Sequence, residues 1–140
     1  MEIAFVYVAL SALLSVLLWM PYIGARAFSV WGLPVFLNNY PEGFPNRSPE
    51  QPLWAARAQR AHLNLIETLP AFLGVVWVAS VFIGSGPAAA SVGLLAATFF
   101  WSRLAHAVVY TAGIPYLRTP VYLVSWASIL AIGWLALEAA

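Results

Sequence analysis

The chain contains no cysteine, no lysine and no aspartate, and charged residues make up only 8% of its 140 positions. Without cysteine there is no disulfide, no thiolate metal site and no cysteine nucleophile. Two histidines without an aspartate disfavour a dedicated metal centre, so we expect no bound metal. The net charge of +1 excludes the basic surface that binding to nucleic acid requires, so we expect no nucleic-acid partner.

Apolar residues are abundant instead. They account for 63% of the chain, and seven Trp, six Tyr and eight Phe add a large aromatic content. Soluble domains carry about 25% charged residues. The six basic and five acidic side chains found here are too few to solvate the surface of a domain of this length. The composition therefore predicts an integral membrane protein whose surroundings are the lipid bilayer.

Four apolar segments are long enough to cross a bilayer, which takes roughly 20 residues in a helix. We expect the first to be a retained span, because no basic segment precedes it and no small-residue cleavage site follows. The proline-rich stretch 24–53 predicts a long loop, whereas the other two links are short. One all-α domain over residues 1–140 is expected, an up-and-down four-helix bundle. The predicted spans are 3–23, 54–83, 88–112 and 120–140.

The basic residues are distributed unevenly between the two ends of this bundle. All lie in the first loop, the third loop or the adjoining helix halves, while the second loop has none and the termini carry only glutamate. They are Arg26, Arg47, Arg57, Arg60, Arg103 and Arg118. The positive-inside rule predicts that the first and third loops are cytoplasmic and that both termini lie on the other side. The sequence shows no evident signal peptide or retention signal, and together with the small size this predicts a bacterial inner membrane.

Polar side chains share one face on each of two predicted helices. The spacings are i, i+4, i+7 in the second span and i, i+3, i+7 in the third. Ionisable groups at membrane depth usually face a bundle interior, a cavity or a partner. Because one glutamate cannot neutralise the surrounding arginines, the surplus positive charge predicts an anionic ligand. The six residues are Arg60, Asn64, Glu67, Arg103, His106 and Tyr110.

Each of these side chains also has a purely structural interpretation. Arg57 and Arg118 lie near helix ends, from which long side chains extend to lipid headgroups. Glu67 could act only as the counter-ion of a neighbouring arginine, and His62 only as a packing or capping residue. Their joint placement on two faces at one side of the membrane favours a shared site.

Residues 60–67, RAHLNLIE, resemble the R-A-x-x-N-x-x-E signature of the MAPEG family (membrane-associated proteins in eicosanoid and glutathione metabolism). Residues 25–28 are similar to its leukotriene-C-synthase branch. Residues 103–110, with the pattern R-x-x-H-x-x-x-Y, resemble the third helix of its prostaglandin-E-synthase branch. Residues 117–122 are similar to the start of the fourth helix in the family. The resemblance extends over nearly the whole chain.

This resemblance implies a homotrimer of four-helix bundles, with glutathione as co-substrate between neighbouring subunits at the cytoplasmic end. The implied activity is that of a membrane-bound glutathione transferase or peroxidase acting on small hydrophobic molecules or lipid-derived electrophiles. Arg118 and Tyr110 are the implied catalytic residues, Arg118 as the group that stabilises the thiolate. The resemblance implies that Arg60, Asn64 and Glu67 bind glutathione, helped by Arg26 and Tyr110. From their positions in the two helices, His62, Arg103 and His106 are further candidates for glutathione binding.

The chemistry of glutathione agrees with these residue types. Arginine pairs with its two carboxylates, Glu67 with its ammonium group, and Asn64 offers both a donor and an acceptor. A free thiol has a pKa of about 8.5 and needs a nearby cation to become a thiolate at neutral pH. Arg118 can supply that charge, but it cannot serve as a base because it does not deprotonate.

Two other functions fit the same composition. A non-catalytic membrane module of the same fold would bind a lipid or a partner protein. An anion transporter or channel would use the arginines as a vestibule, but the apolar halves of the helices carry no polar stripe to line a pathway. The joint presence of Arg60, Asn64, Glu67 and Arg118 favours the enzyme over the binding module.

Overall fold

The computed structural model describes residues 1–30, 32 and 50–140, with only the backbone of residues 29 and 30. Arg47 and most of the predicted loop lie outside these residues. The fold is all-α across the part of the chain that the structure describes. Its elements are α1 (Glu2–Leu17), α2 (Met20–Ala25), a π-helical turn (Arg26–Val30), α3 (Leu53–Phe82), α4 (Pro87–Ala112) and α5 (Arg118–Glu138).

Among the described residues, four helical stretches are long and apolar enough to cross a membrane, so the chain is an integral membrane protein. The first stretch combines α1, α2 and part of the π-helical turn, and the others are α3, α4 and α5. The stretches are Glu2–Phe28, Leu53–Phe82, Pro87–Ala112 and Arg118–Glu138.

The first helical stretch runs past residue 23, where the apolar run of the sequence ends. Ala25 is buried and packs with Tyr22 against Ala55 and Ala58 at the start of α3. This packing supports helical backbone through residue 30, so the helix includes residues that the sequence assigned to the first loop. As a result Arg26 is held by a helix beside α3.

α4 packs against α1, α3 and α5 and is the most buried of the four spanning stretches in the described part of the chain, so it is the central helix. The rings of Phe72 on α3 and Phe99 on α4 are fully buried and stacked, with centroids 3.9 Å apart and an interplanar angle of 9°. On the side of α1, a Cβ atom at Gly93 would lie 3.2 Å from the Cβ atom of Ile3. Glycine at this position therefore permits the close approach of α1 and α4.

The end of α4 determines how the chain returns to α5. Gly113 has a φ angle of +74°, and the amide of Ile114 donates to the carbonyl of Val109 at 3.1 Å. A left-handed glycine with this hydrogen bond is a common way to end a helix. The short link after it carries Arg118 back to the same end of the bundle as Tyr110.

Candidate functional site

A cavity of about 680 Å³ lies where α3 and α5 begin and α4 ends. Six of the nine predicted site residues line this cavity. The fold brings these six residues together from three helices, α3, α4 and α5. The lining residues are Gln51, Ala56, Gln59, Arg60, Leu63, Asn64, Glu67, His106, Tyr110, Arg118, Thr119 and Tyr122. The other three predicted residues, Arg26, His62 and Arg103, are not among the residues that line it.

Arg103 lies behind the wall of the cavity, with only 1% of its surface exposed. Its Nη2 atom donates to Oδ1 of Asn64 at 2.9 Å, and its Nη1 atom donates to Oγ of Ser125 at 3.5 Å. Its Cζ atom lies 5.5 Å from the centroid of the Tyr122 ring. Arg103 thus contacts two lining residues, Asn64 and Tyr122, from behind.

Arg26 also reaches the cavity through other side chains. Its Nε atom donates to Oε1 of Gln51 at 3.2 Å, and its Nη2 atom donates to Oε1 of Gln59 at 2.9 Å. The Nε2 atom of Gln51 donates to the same Oε1 atom of Gln59 at 2.9 Å. Both glutamines line the cavity. They were not predicted from the sequence, although Gln59 directly precedes the motif at residues 60–67 on α3.

These contacts determine which group of the Asn64 and Gln59 side-chain amides, the oxygen or the NH₂ group, remains available to a bound molecule. An arginine side chain can only donate hydrogen bonds, so it must face the carbonyl oxygen of an amide rather than its nitrogen. The oxygens of Asn64 and Gln59 are therefore turned towards Arg103 and Arg26. The NH₂ groups of the two amides are not used by these contacts and remain available as donors, and both residues line the cavity.

His62 lies on the other side of α3. Its Nδ1 atom is 2.9 Å from the hydroxyl oxygen of Tyr22, both side chains are buried, and the pair joins α2 to α3. The reason is helix geometry, because a residue two positions after Arg60 is rotated by about 200° around the helix. The predicted contact with glutathione would need His62 on the face of Arg60, and the structure instead gives it a packing role.

The ring of Tyr110 lies beside Arg118 at the start of α5. The Cζ atom of Arg118 lies 5.0 Å from the centroid of the Tyr110 ring, within the range of a cation–π contact. The buried ring of His106 lies between Tyr110 and Tyr122, with centroid distances of 5.5 and 6.0 Å. Thr119 and Tyr122 were not predicted as site residues, although Tyr122 follows Arg118 by one helical turn and so shares its face.

Arg60 and Glu67 lie on an exposed face of α3, together with Leu63. All three line the cavity, so the cavity extends to the outer surface of the single chain. This face belongs to a helix long and apolar enough to span the membrane. Contact between charged side chains and lipid raises the free energy of the protein, so such a face is unfavourable when it is exposed to the bilayer.

A family model identifies the class of protein to which this arrangement belongs. The MAPEG family model matches residues 4–137, which include all the residues that line the cavity. No curated protein and no solved structure matches the chain. The family resemblance of residues 60–67 is confirmed by this match, and the chain belongs to the MAPEG family.

Proposed function

We propose that the protein is a glutathione-dependent membrane enzyme, a transferase or a peroxidase, and that glutathione binds in the cavity of about 680 Å³. The observation that carries this proposal is the donor-rich lining. Arg60, Arg118 and the NH₂ groups of Gln59 and Asn64 are all donors, and Glu67 is the one carboxylate among the lining residues. Two carboxylates and one ammonium group on glutathione complement this pattern, and membership of the MAPEG family supports it.

In this proposal Arg118 and Tyr110 act on the sulfur. The guanidinium group of Arg118 stabilises the thiolate relative to the thiol, and the hydroxyl of Tyr110 donates a hydrogen bond to it. The thiolate then attacks an electrophilic carbon, forming the S–C bond as the leaving group departs with its electron pair. With a hydroperoxide, the thiolate attacks the terminal oxygen, an S–O bond forms as the O–O bond breaks, and the alkoxide leaves as an alcohol after protonation. A second glutathione then reduces the glutathione sulfenic acid, which gives glutathione disulfide and water.

The second substrate reaches the sulfur from the lipid side. Leu63 lines the cavity and is exposed beside Arg60, so the rim of the cavity on α3 is apolar as well as charged. A small hydrophobic electrophile or a lipid hydroperoxide can move from the bilayer along this rim.

The orientation in the membrane is a separate part of the proposal. The positive-inside rule favours a cytoplasmic location for the arginine-rich end of the bundle. Both termini then lie on the opposite side of the membrane, as in a bacterial inner membrane.

A homotrimer completes the site in this proposal. Arg60 and Glu67 are exposed on the spanning helix α3, and a neighbouring subunit would turn their lipid-facing surface into a shared pocket. Glutathione would then bind between subunits. Native mass spectrometry in mild detergent should give a trimer, and a spectrum with monomer alone would remove the interface from the proposal.

Glutathione titration followed by ultraviolet absorbance of the thiolate tests the function. The wild-type protein should give a thiolate signal and turn over a generic aryl halide. Arg118→Leu should lose both, whereas Arg57→Leu, which removes a cation at the same end but outside this cavity, should retain both. A wild-type protein that binds glutathione without a thiolate signal would be a non-catalytic binding module. One that does not bind glutathione at all would refute the proposal.

A further inference from the structure

A second cavity, of about 370 Å³, lies beside the first. It is lined by Arg57 on the second turn of α3, by Tyr110 near the end of α4, by residues 113–116 of the link, and by Arg118 and Thr119 at the start of α5. Tyr110, Arg118 and Thr119 line both cavities, so they form the wall between them. The lining of the second cavity contains two arginines and, among its described residues, no carboxylate.

Arg57 is held in place by the end of α4. Its guanidinium group packs directly on Gly113, where a Cβ atom would collide with its Nη1 atom. Neither Arg57 nor Arg118 donates a hydrogen bond to any side chain or carbonyl among residues 1–30, 32 and 50–140. Each guanidinium carries five N–H donors. Two such groups around one cavity, with no neutralising side chain in its lining, favour an anion that carries several acceptor oxygens.

The link between α4 and α5 has a strained conformation beside these arginines. Tyr116 has a φ angle of 65°, and the amide of Leu117 donates to the carbonyl of Pro115 at 2.8 Å. A three-residue turn with a positive φ at its centre is rare and strained for a residue other than glycine, and such strain is found at functional sites. The turn leaves the Tyr116 side chain 92% exposed, with Ile114 and Leu117 also exposed.

We propose that the second cavity binds the headgroup phosphate of an anionic phospholipid. Arginine pairs with phosphate oxygens through two parallel hydrogen bonds, and Arg57 and Arg118 can both do so. Tyrosine is enriched at the level of the headgroups, where Tyr116 would lie, and the apolar Ile114 and Leu117 would contact the glycerol and upper acyl region. A zwitterionic lipid is disfavoured because its ammonium group would meet two arginines and no carboxylate. The lipid site shares Arg118 with the proposed glutathione site, but the argument for it does not depend on the glutathione chemistry.

Native mass spectrometry of the protein in detergent, titrated with phosphatidylglycerol or phosphatidylcholine and without glutathione, tests the site. Arg57→Gln should weaken phosphatidylglycerol binding about fivefold or more. Arg57→Lys should keep part of the affinity because the charge remains while the planar donor pair is lost. The matched control is Arg60→Gln, which removes one positive charge at the same end from the first cavity and should bind phosphatidylglycerol like the wild type.

Two other results would overturn the proposal, and a second variant tests it if the first does not fold. Equal losses in Arg57→Gln and Arg60→Gln would mean a diffuse electrostatic attraction and would overturn it. Inorganic phosphate that stabilises the lipid-free protein in an Arg57-dependent manner would identify a soluble anion as the ligand and overturn the lipid assignment. If Arg57→Gln does not fold, Tyr116→Ser replaces it. This fully exposed position should still show weaker phosphatidylglycerol binding, and unchanged binding would refute the proposal.

Discussion

Replacing Asn64 with leucine removes the shorter of the two hydrogen bonds that hold the buried guanidinium group of Arg103. The bond from Nη2 to Asn64 is 2.9 Å long, whereas the bond from Nη1 to Ser125 is 3.5 Å, and the Nε atom has no partner in the described part of the chain. A hydrogen bond to a charged group contributes about 1.5–3 kcal/mol in soluble proteins. Measured polar contacts between membrane helices are weaker, about 0.6 kcal/mol on average.

We therefore expect Asn64→Leu to lower the free energy of unfolding by about 1–2 kcal/mol. Ser125→Ala should cost less than about 0.5 kcal/mol, because its bond is at the limit of a useful hydrogen-bond distance. In the background of Arg103→Met, which replaces the cation by an apolar side chain of similar length, Asn64→Leu should cost little. This difference measures the coupling between the two residues.

The assay is reversible unfolding in mixed micelles of a mild detergent and dodecyl sulfate, followed by tryptophan fluorescence and circular dichroism. Glutathione is left out, so that any ligand contact of Asn64 does not enter the result. A cost for Asn64→Leu no larger than that of Ser125→Ala would refute the reasoning. So would an equal cost with and without Arg103, since Asn64 would then stabilise the fold by some other contact.

Three further changes should give measurable effects. Gln59→Glu keeps an acceptor for the side chain of Arg26 but removes the NH₂ donor of a residue that lines the cavity. It should therefore weaken glutathione binding while the melting temperature stays the same. Unchanged affinity would show that this amide does not contact the ligand. Gly113→Ala should cost about 1–3 kcal/mol in the same unfolding assay, because alanine is strained at positive φ and displaces Arg57. Tyr22→Phe should cost about 0.5–1.5 kcal/mol through loss of its buried hydrogen bond, without changing glutathione affinity.

The helices could be predicted because the bilayer imposes a simple requirement. A span must be apolar for the thickness of the membrane, and that length can be counted in the sequence. The end of the first helical stretch could not be predicted in the same way. It depends on Ala25 packing against Ala55 and Ala58, residues separated by the whole first loop, and hydropathy contains no information about such a contact.

The sequence predicted which polar residues share one face of a helix, because helical periodicity determines the face on which each residue lies. Arg60, Asn64 and Glu67 line the cavity because their spacing keeps them on one side of α3. Periodicity does not show how far a long side chain reaches or in which direction it points. Arg103 shares the face of His106 and Tyr110, yet it is buried and bonded to Asn64 instead of lining the cavity.

Arg118 lines both cavities with a single guanidinium group. Two anions on its two sides would share one positive charge, so the presence of either reduces the electrostatic attraction for the other. Such coupling is reciprocal between the two sites, and coupling free energies between sites are typically about 1–3 kcal/mol. If both proposed anions bind, the shared Arg118 would make the two cavities negatively cooperative for anions, so an anionic lipid in one cavity would weaken the binding of glutathione in the other.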